Sequence, residues 1–232
     1  LRKTLIDHGE DFQNGVLTLI NTINNELYYE DQCGKYWRMY VFIDNTISYS
    51  KPKDNKMLEN LGCAFGKFIH DLSGFHADKL YEVITNFHNT KSRFSDFKKA
   101  VSFNYDNRAE NVKEEIEFVF SREKYISQII DKLDDGRLPL RVVHNDTKLN
   151  NVLFDINDSN RIVCVVDLDT VMPGSLLYDF GDAVRSSCNI TTSEDFTRAS
   201  FDLKFFEYFT KGFLEEVGDI ITNEEKNMLP IA

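Results

Sequence analysis

The 232-residue sequence has little of what marks several classes of protein. Only four prolines, eleven scattered glycines and no repeating period exclude fibrous and low-complexity chains. No apolar run approaches the roughly 18 residues of a membrane span, and no charged-then-apolar start marks a secretion signal. The four cysteines lie far apart without a C-x-x-C pair, so neither a zinc site nor a disulfide framework is indicated. We therefore predict a cytoplasmic protein with no membrane partner.

Positive charge is also scarce. Lysine and arginine number 27 against 38 aspartates and glutamates, which gives a formal net charge of −11. Because binding to a nucleic-acid backbone needs clustered positive charge, we expect no nucleic-acid partner. A small phosphorylated ligand remains compatible with this balance if a metal ion or a few local cations offset its charge.

The order of residue patterns predicts an α+β chain. Residues 16–44 are rich in β-branched and aromatic side chains around a turn at residues 31–34, which predicts a short antiparallel sheet. After a Lys/Asp/Pro-rich stretch, apolar residues recur at three- and four-residue steps. This period predicts three helices, of which the middle one is long; they cover residues 57–72, 112–133 and 196–217. Gly62 and Gly66 on the first helix allow close packing of another helix.

A compact β block is predicted between the second and third helices. Residues 140–143 have the composition of a short strand, and residues 151–156 and 161–166 flank a turn at 157–160. If this hairpin folds about the middle of its turn, the numbers of paired residues add to about 317. That register brings Asn151 and Asp167 within cross-strand reach.

The loop before the hairpin fits the pattern H-x-D-x-x-x-x-N of kinase catalytic loops, from His144 to Asn151. Phosphoryl transfer needs an oriented acceptor hydroxyl and hard oxygen ligands for Mg²⁺. Asp146 would orient the acceptor and take its proton, while Asn151 and Asp167 would hold the metal. Lys148 would meet the transferring phosphoryl group and supply the local cation.

Two further residues near this motif are interpreted as structural. His144 is expected to be a packed residue that braces the loop. Asp179 opens the sequence Asp-Phe-Gly, but it lies twelve residues beyond Asp167 and after the break at Met172-Pro173-Gly174. We therefore expect Asp179 to be a structural cap and Asp167 to be the metal ligand.

Three long motifs resemble the aminoglycoside phosphotransferase superfamily and, within it, the N-acetylhexosamine 1-kinases. They are RVVHNDTKLNN at residues 141–151, VVDLDTVMPG at 165–174 and YDFGDAVR at 178–185. The similarity extends to WRMY at 37–40 and FHNT at 87–90, and so spans most of the chain from about residue 16. It implies a protein-kinase-like fold with a mostly helical C-terminal lobe, a catalytic β-hairpin and a partial N-terminal sheet.

The resemblance also implies a reaction: transfer of the γ-phosphate of ATP, with Mg²⁺, to the anomeric hydroxyl of GlcNAc or GalNAc. Asp146 would be the base, and Asn151 and Asp167 the metal ligands. The other residues implied by the resemblance fall into two groups: Phe42, Ile43 and Asp44 would form the hinge whose backbone meets adenine, and His88, Asp169 and Arg185 would contact or support the sugar.

The resemblance divides the chain at residue 44. Residues 1–44 would be a remnant of the N-terminal lobe with the hinge, and residues 45–232 the C-terminal catalytic lobe. No phosphate-covering loop or lysine–glutamate pair precedes the hinge, and a capping-box pattern from Thr222 to Glu225 starts a helix just before the end. We therefore expect a chain truncated at both ends that, by itself, binds MgATP weakly and phosphorylates no sugar.

Two alternatives stay open at this point. The first is a kinase for another hydroxyl acceptor, such as an aminoglycoside, choline or homoserine. The second is a pseudokinase or nucleotide-binding module without turnover, which the missing N-terminal elements favour and the intact Asp146, Asn151 and Asp167 oppose.

Overall fold

The computed structural model describes residues 1–10, 13–189 and 200–232. In these ranges the chain forms helices and short antiparallel strands, which is an α+β architecture. The helices are α1 (Arg2–Asp7), α2 (Asn55–Asp71), α3 (Thr90–Phe103), α4 (Lys113–Phe120), α5 (Glu123–Ile126), α6 (Gln128–Asp134), α7 (Leu176–Ser187), α8 (Leu203–Val217) and α9 (Asn223–Met228). The strands are β1 (Leu19–Ile20), β2 (Tyr29–Glu30), β3 (Tyr36–Trp37), β4 (Met39–Tyr40), β5 (Thr46–Ile47), β6 (Arg141–Val143), β7 (Val152–Asp155), β8 (Ile162–Val165) and β9 (Met172–Gly174).

The predicted N-terminal sheet consists of two small antiparallel ladders. Strand β1 pairs with β4, and β2 pairs with β3 across the predicted turn. The turn is held by Asp31, whose Oδ1 accepts the backbone N–H groups of Cys33 and Lys35. Gly34 follows at φ +72°, a left-handed conformation that glycine adopts without steric cost. The antiparallel pairing is thus confirmed, with strands shorter than predicted.

The catalytic-loop hairpin forms with the predicted register. Val152 pairs with Val165 and Leu153 with Cys164, as the turn symmetry requires, before a bulge shifts the next pair. The free edge of β7 is covered by β5, which gives a three-stranded sheet in the order β5-β7-β8. This third strand was not predicted. It connects the segment after β4 to the hairpin.

Helices α2 and α8 pack against each other at the centre of the core. A Cβ atom on Gly212 would lie 2.0 Å from the carbonyl oxygen of Glu59, and one on Gly62 would lie 2.2 Å from that of Phe209. These helices approach so closely because glycine occupies the contact, as predicted for Gly62 and Gly66. The predicted third helix corresponds to α8 (Leu203–Val217), and the start of that prediction, at Phe196, lies outside the described residues.

The prediction of one long middle helix is wrong. Three short helices, α4, α5 and α6, replace it, with breaks at Ser121–Arg122 and Ser127. The side chains of Ser121 and Arg122 donate to the carbonyl of Phe118 at 2.8 and 3.0 Å. These local bonds compete with the next helical hydrogen bonds and end α4.

The predicted capping box at the C-terminal end is confirmed. Thr222 accepts the N–H of Glu225, and the Glu225 carboxylate accepts the N–H of Thr222, so that α9 begins at residue 223. The same carboxylate forms a buried ion pair with Arg141 at the start of β6, at 2.7 Å. The strand that leads into the motif loop, residues 144–151, is thereby fixed to the last helix. Within the described ranges, no helix is both long and apolar enough to cross a bilayer.

Candidate functional site

The motif loop runs from β6 to β7 and turns back on itself. Asn145 has a positive φ of 66°, which asparagine tolerates better than most residues. The carbonyl of Asp146 accepts the N–H of Lys148, and the carbonyl of Lys148 accepts the N–H of Asn151, both at 3.0 Å. These two turns bring the side chains at positions 146, 148 and 151 to one point.

Asp146, Lys148 and Asn151 contact one another directly. The Nζ atom of Lys148 lies 2.6 Å from Oδ1 of Asp146, and Nδ2 of Asn151 donates to Oδ2 of Asp146 at 3.0 Å. The same amide nitrogen donates to the Asp146 carbonyl at 2.9 Å. Asn151 is buried, whereas the Asp146 side chain is 22% exposed. The carboxylate is therefore held in one orientation and remains accessible from solvent.

Asp167 lies beside this group. The N–H of Val166 donates to the Asn151 carbonyl at 2.9 Å, so the next residue in the chain starts just past the end of the hairpin. Asp167 is exposed and has a left-handed conformation (φ 61°, ψ 58°) at the start of a 3₁₀ turn, Leu168–Thr170. Among the described residues, neither Oδ1 of Asn151 nor the Asp167 carboxylate accepts a hydrogen bond. An amide oxygen and a carboxylate, both ligand types that hard cations bind, are thus available at the end of the hairpin.

His144 lies buried behind the loop. Its Nδ1 accepts the N–H of Asp146 at 3.3 Å, so Nε2 carries the proton and donates to the carbonyl of Val166 at 3.0 Å. The rings of Phe65 and Phe68 pack edge-on against the imidazole. Burial lowers the pKa of His144 and favours the neutral ring. These contacts support the predicted bracing role, because a second proton on the ring would displace the Asp146 N–H.

Helix α7 holds the loop backbone through two carboxylates. Asp179, fully buried, accepts the N–H groups of His144 at 2.8 Å and Asn145 at 2.7 Å. Burial raises the pKa of Asp179 to about 7, against the lowering effect of these two donors. Three residues later, Asp182 accepts the N–H of Thr147 at 2.9 Å. The backbone of the loop that carries Asp146 is therefore hydrogen-bonded to one face of α7.

The expectation that Asp179 caps a helix is wrong. Ser175 is the N-cap of α7 and accepts the N–H of Leu177, whereas Asp179 lies one turn inside the helix. Asp182 and Thr147 were not predicted to take part in the site. The sequence feature that could have indicated Asp182 is its spacing from Asp179, since residues three apart lie on the same face of a helix.

Two of the three predicted sugar-contact residues line one cavity of about 800 Å³. His88 stacks on Tyr178, and its Nε2 lies 3.4 Å from the Asn145 carbonyl, next to Asp146 in the chain. Burial lowers the pKa of His88. Arg185 also lines the cavity and pairs with Asp182 at 2.6 Å. Among the described residues, none of the motif loop lines this cavity, which adjoins the loop through His88 and Asp182, the partners of Asn145 and Thr147.

Asp169, the third of these residues, lies elsewhere. Its carboxylate forms an ion pair with Arg38, which stands between β3 and β4 in the N-terminal part of the chain. It does not line the cavity that His88 and Arg185 share.

The predicted hinge links β4 to β5. Ile43 is buried and its carbonyl accepts the Thr46 hydroxyl at 2.9 Å, while Phe42 and Asp44 are exposed. Because β5 pairs with β7, this segment reaches the strand that directly follows Asn151 in the chain. The structure thus brings the hinge and the hairpin to the same sheet.

Comparison with known proteins identifies a family and a fold. Residues 25–211 match the model of the APH phosphotransferase enzyme family. The amicoumacin kinase hAmiN, solved with AMP-PNP, Ca²⁺ and Ami, has a TM-score of 0.61 at 12% identity, over 99% of this chain and 63% of that one. An aminoglycoside phosphotransferase from Alicyclobacillus acidocaldarius subsp. acidocaldarius DSM 446 has a TM-score of 0.61 at 13% identity, over 99% and 67%.

A third structure, the GDP and kanamycin complex of APH(2")-IIia, has a TM-score of 0.56 at 12% identity, over 94% of this chain and 65% of that one. At these identities the similarity establishes the fold, which is the predicted protein-kinase-like α+β fold. The chain spans about two thirds of the length of each of these proteins.

Proposed function

The chain belongs to the phosphotransferase enzyme family, and on that premise we propose that the complete protein is an ATP-dependent kinase of a small molecule. It transfers the γ-phosphate, with Mg²⁺, to a hydroxyl group. The observation that carries this proposal is the contact of Lys148 and Asn151 with the two carboxylate oxygens of Asp146. A positioned carboxylate beside a cation is what hydroxyl activation next to a phosphoryl group requires.

The donor set at the hairpin mouth fits Mg²⁺ when it arrives with a nucleotide. The described residues contain no cluster of three or more His, Cys, Asp or Glu side chains that could hold a metal by themselves. Mg²⁺, however, is commonly bound by one or two protein oxygens together with substrate phosphates. Asn151 would offer Oδ1 and Asp167 its exposed carboxylate, while the metal would supply neutralisation of phosphate charge.

The chain's own residues would divide the remaining tasks. Asp146 would accept the proton of the acceptor hydroxyl from the orientation that Asn151 imposes. Lys148 is half-exposed and would turn from Asp146 toward the phosphoryl group. The hinge segment Phe42, Ile43 and Asp44 would receive the adenine, and the buried His144 and Asp179 would keep the loop in place.

We further propose that the acceptor is a neutral N-acetylhexosamine phosphorylated at its anomeric hydroxyl. The cavity beside the loop has two arginine side chains, Arg122 and Arg185, and one carboxylate side chain, Asp182, which is paired with Arg185. Aminoglycosides are polycations, and among the described side chains the cavity offers them no carboxylate that is free of an arginine partner. A neutral sugar can hydrogen-bond to His88 and Arg185 while its apolar face packs on Tyr178.

The test is phosphorus NMR of ATP turnover by the complete gene product with separate acceptors: GlcNAc, GalNAc, kanamycin, choline and homoserine. We expect a sugar 1-phosphate from an N-acetylhexosamine and none from its 1-O-methyl glycoside, which lacks the reacting hydroxyl. If only kanamycin, choline or homoserine is phosphorylated, the proposal of a sugar acceptor is wrong and that compound is the acceptor. Binding of MgATP without turnover of any acceptor would favour the nucleotide-binding module.

A further inference from the structure

One ion pair joins two parts of the chain that lie 131 residues apart. Arg38 donates through Nη2 to Oδ1 of Asp169, and the side chains are 47% and 58% exposed. Arg38 stands at the step between the β2–β3 ladder and the β1–β4 ladder. Its guanidinium carbon lies 5.4 Å from the centre of the Tyr40 ring. The two ladders therefore fix the backbone of Arg38 on both sides.

The segment that contains Asp169 is fixed at its ends, and its two aspartates are exposed. At one end, Val166 bonds to Asn151 and His144. At the other end, the Thr170 hydroxyl donates to the His144 carbonyl at 2.7 Å. Between these anchors, Leu168 packs against the core, Asp167 and Asp169 are exposed, and the side chain of Arg38 contacts Asp169.

We propose that Arg38 is a positioning residue for Asp167 and acts through Asp169. This inference rests on the proposed function, because Asp167 is there a metal ligand. Half-exposed ion pairs contribute little to fold stability, so the contact with Arg38 matters for where the turn lies rather than for whether the chain folds. It assigns Asp169 to Arg38 instead of to the sugar, and it makes metal binding depend on the N-terminal ladders.

The sign of the effect separates positioning from electrostatics. A guanidinium near a metal repels it, so its removal would by charge alone strengthen Mg²⁺ binding. If Arg38 positions Asp167, its removal weakens Mg²⁺ binding instead. Loss of a residue that orients a metal ligand typically costs about 10-fold or more in metal affinity.

The experiment uses the complete gene product with Arg38→Ala, Asp169→Ala, the double variant and Arg38→Lys. Arg137→Ala is the matched control, since Arg137 also forms an exposed pair with an aspartate, Asp135, away from the site. Calorimetry with AMP-PNP gives the Mg²⁺ concentration for half-maximal nucleotide binding. Hydrogen exchange of residues 166–171 reports the turn without any nucleotide.

We expect Arg38→Ala to raise the Mg²⁺ midpoint about 10-fold, with the affinity for nucleotide at saturating Mg²⁺ unchanged. The double variant should be no worse than Asp169→Ala, Arg38→Lys should recover most of the loss, and exchange in residues 166–171 should accelerate. Unchanged exchange, or a Mg²⁺ midpoint that falls or stays constant, overturns the inference. If exchange accelerates but wild type binds no Mg²⁺-nucleotide, the proposed function fails while the contact between Arg38 and the turn stands.

Discussion

Replacing Asp179 by alanine removes the acceptor of two buried backbone N–H groups, those of His144 and Asn145. A buried donor left without a partner costs about 1–3 kcal/mol, so the two together cost about 2–6 kcal/mol. Alanine also removes the unfavourable burial of the carboxyl group, the effect that raises the pKa of Asp179 to about 7. We therefore expect a net loss of about 2–4 kcal/mol in the free energy of unfolding.

Thermal unfolding measures this loss. For a chain of this size about 1 kcal/mol corresponds to about 2–4 °C, so the Tm of Asp179→Ala should fall by about 4–16 °C. The control is Asp167→Asn, at an exposed aspartate to which no hydrogen bond from the described residues is directed, because asparagine tolerates the left-handed conformation of this position (φ 61°) better than alanine does. Its Tm should stay within about 2 °C of wild type. If the two variants unfold at the same temperature, the assignment of Asp179 to loop support is refuted.

Three other outcomes follow from the geometry. Asn151→Ala and Asp167→Ala should each raise the Mg²⁺ concentration needed for activity, and an unchanged Mg²⁺ titration of either folded variant would contradict its role as ligand. His144 has a lowered pKa in the folded state, so the stability that its neutral ring provides is complete above the unfolded pKa of about 6.5. That stability is lost as the pH falls below this value. Protonation of Asp179, whose pKa burial raises to about 7, acts in the opposite direction in both proteins. Between pH 8 and 5 the denaturant midpoint of wild type should therefore fall relative to that of His144→Gln, and a constant difference between the two proteins would count against the role of His144. Gly212→Ala should destabilise the fold by about 1–3 kcal/mol, because its Cβ would overlap the Glu59 carbonyl; a denaturation midpoint equal to wild type would show that the helices separate freely.

The features that could be predicted from the sequence are those encoded by neighbouring residues. The turn at residues 157–160 sets the register of the hairpin. In that register the Asn151 carbonyl accepts the N–H of Val166, the residue before Asp167. The spacing within the motif loop likewise brought Asp146, Lys148 and Asn151 together. The capping-box pattern of Thr222 and Glu225 predicted the start of α9, and the structure contains this capping box. In each case the determining interaction spans only a few residues.

The features that escaped prediction depend on distant contacts. The ion pair between Arg38 and Asp169 joins two surface residues whose separate surroundings do not indicate a partner. The hydrogen bonds from the loop backbone to Asp179 and Asp182 can be predicted only when the position of α7 in the fold is known. The apolar periodicity over residues 112–133 continues through the breaks at Ser121 and Ser127. Such periodicity shows which face of a helix is apolar, but it does not show where a side chain hydrogen-bonds to a backbone carbonyl and ends the helix.

The similarity of the motifs indicated the family and the fold, and both are established by the match over residues 25–211 and by the structural neighbours. The proposed acceptor site is the cavity that His88, Asp182 and Arg185 line. His88 comes from a part of the chain distant from Asp182 and Arg185, so the cavity that they share becomes visible only after folding. The N-acetylhexosamine specificity and the division of the chain at residue 44 therefore stay predictions.

The most direct test of the account is single-turnover phosphoryl transfer by the complete gene product with Asp146→Asn. Asparagine keeps the size of the side chain and cannot accept the hydroxyl proton, so turnover should fall by about 10²–10⁴ while ATP affinity changes little. Turnover within a few-fold of wild type would contradict the role of Asp146 as the base and, with it, the proposed arrangement of the site.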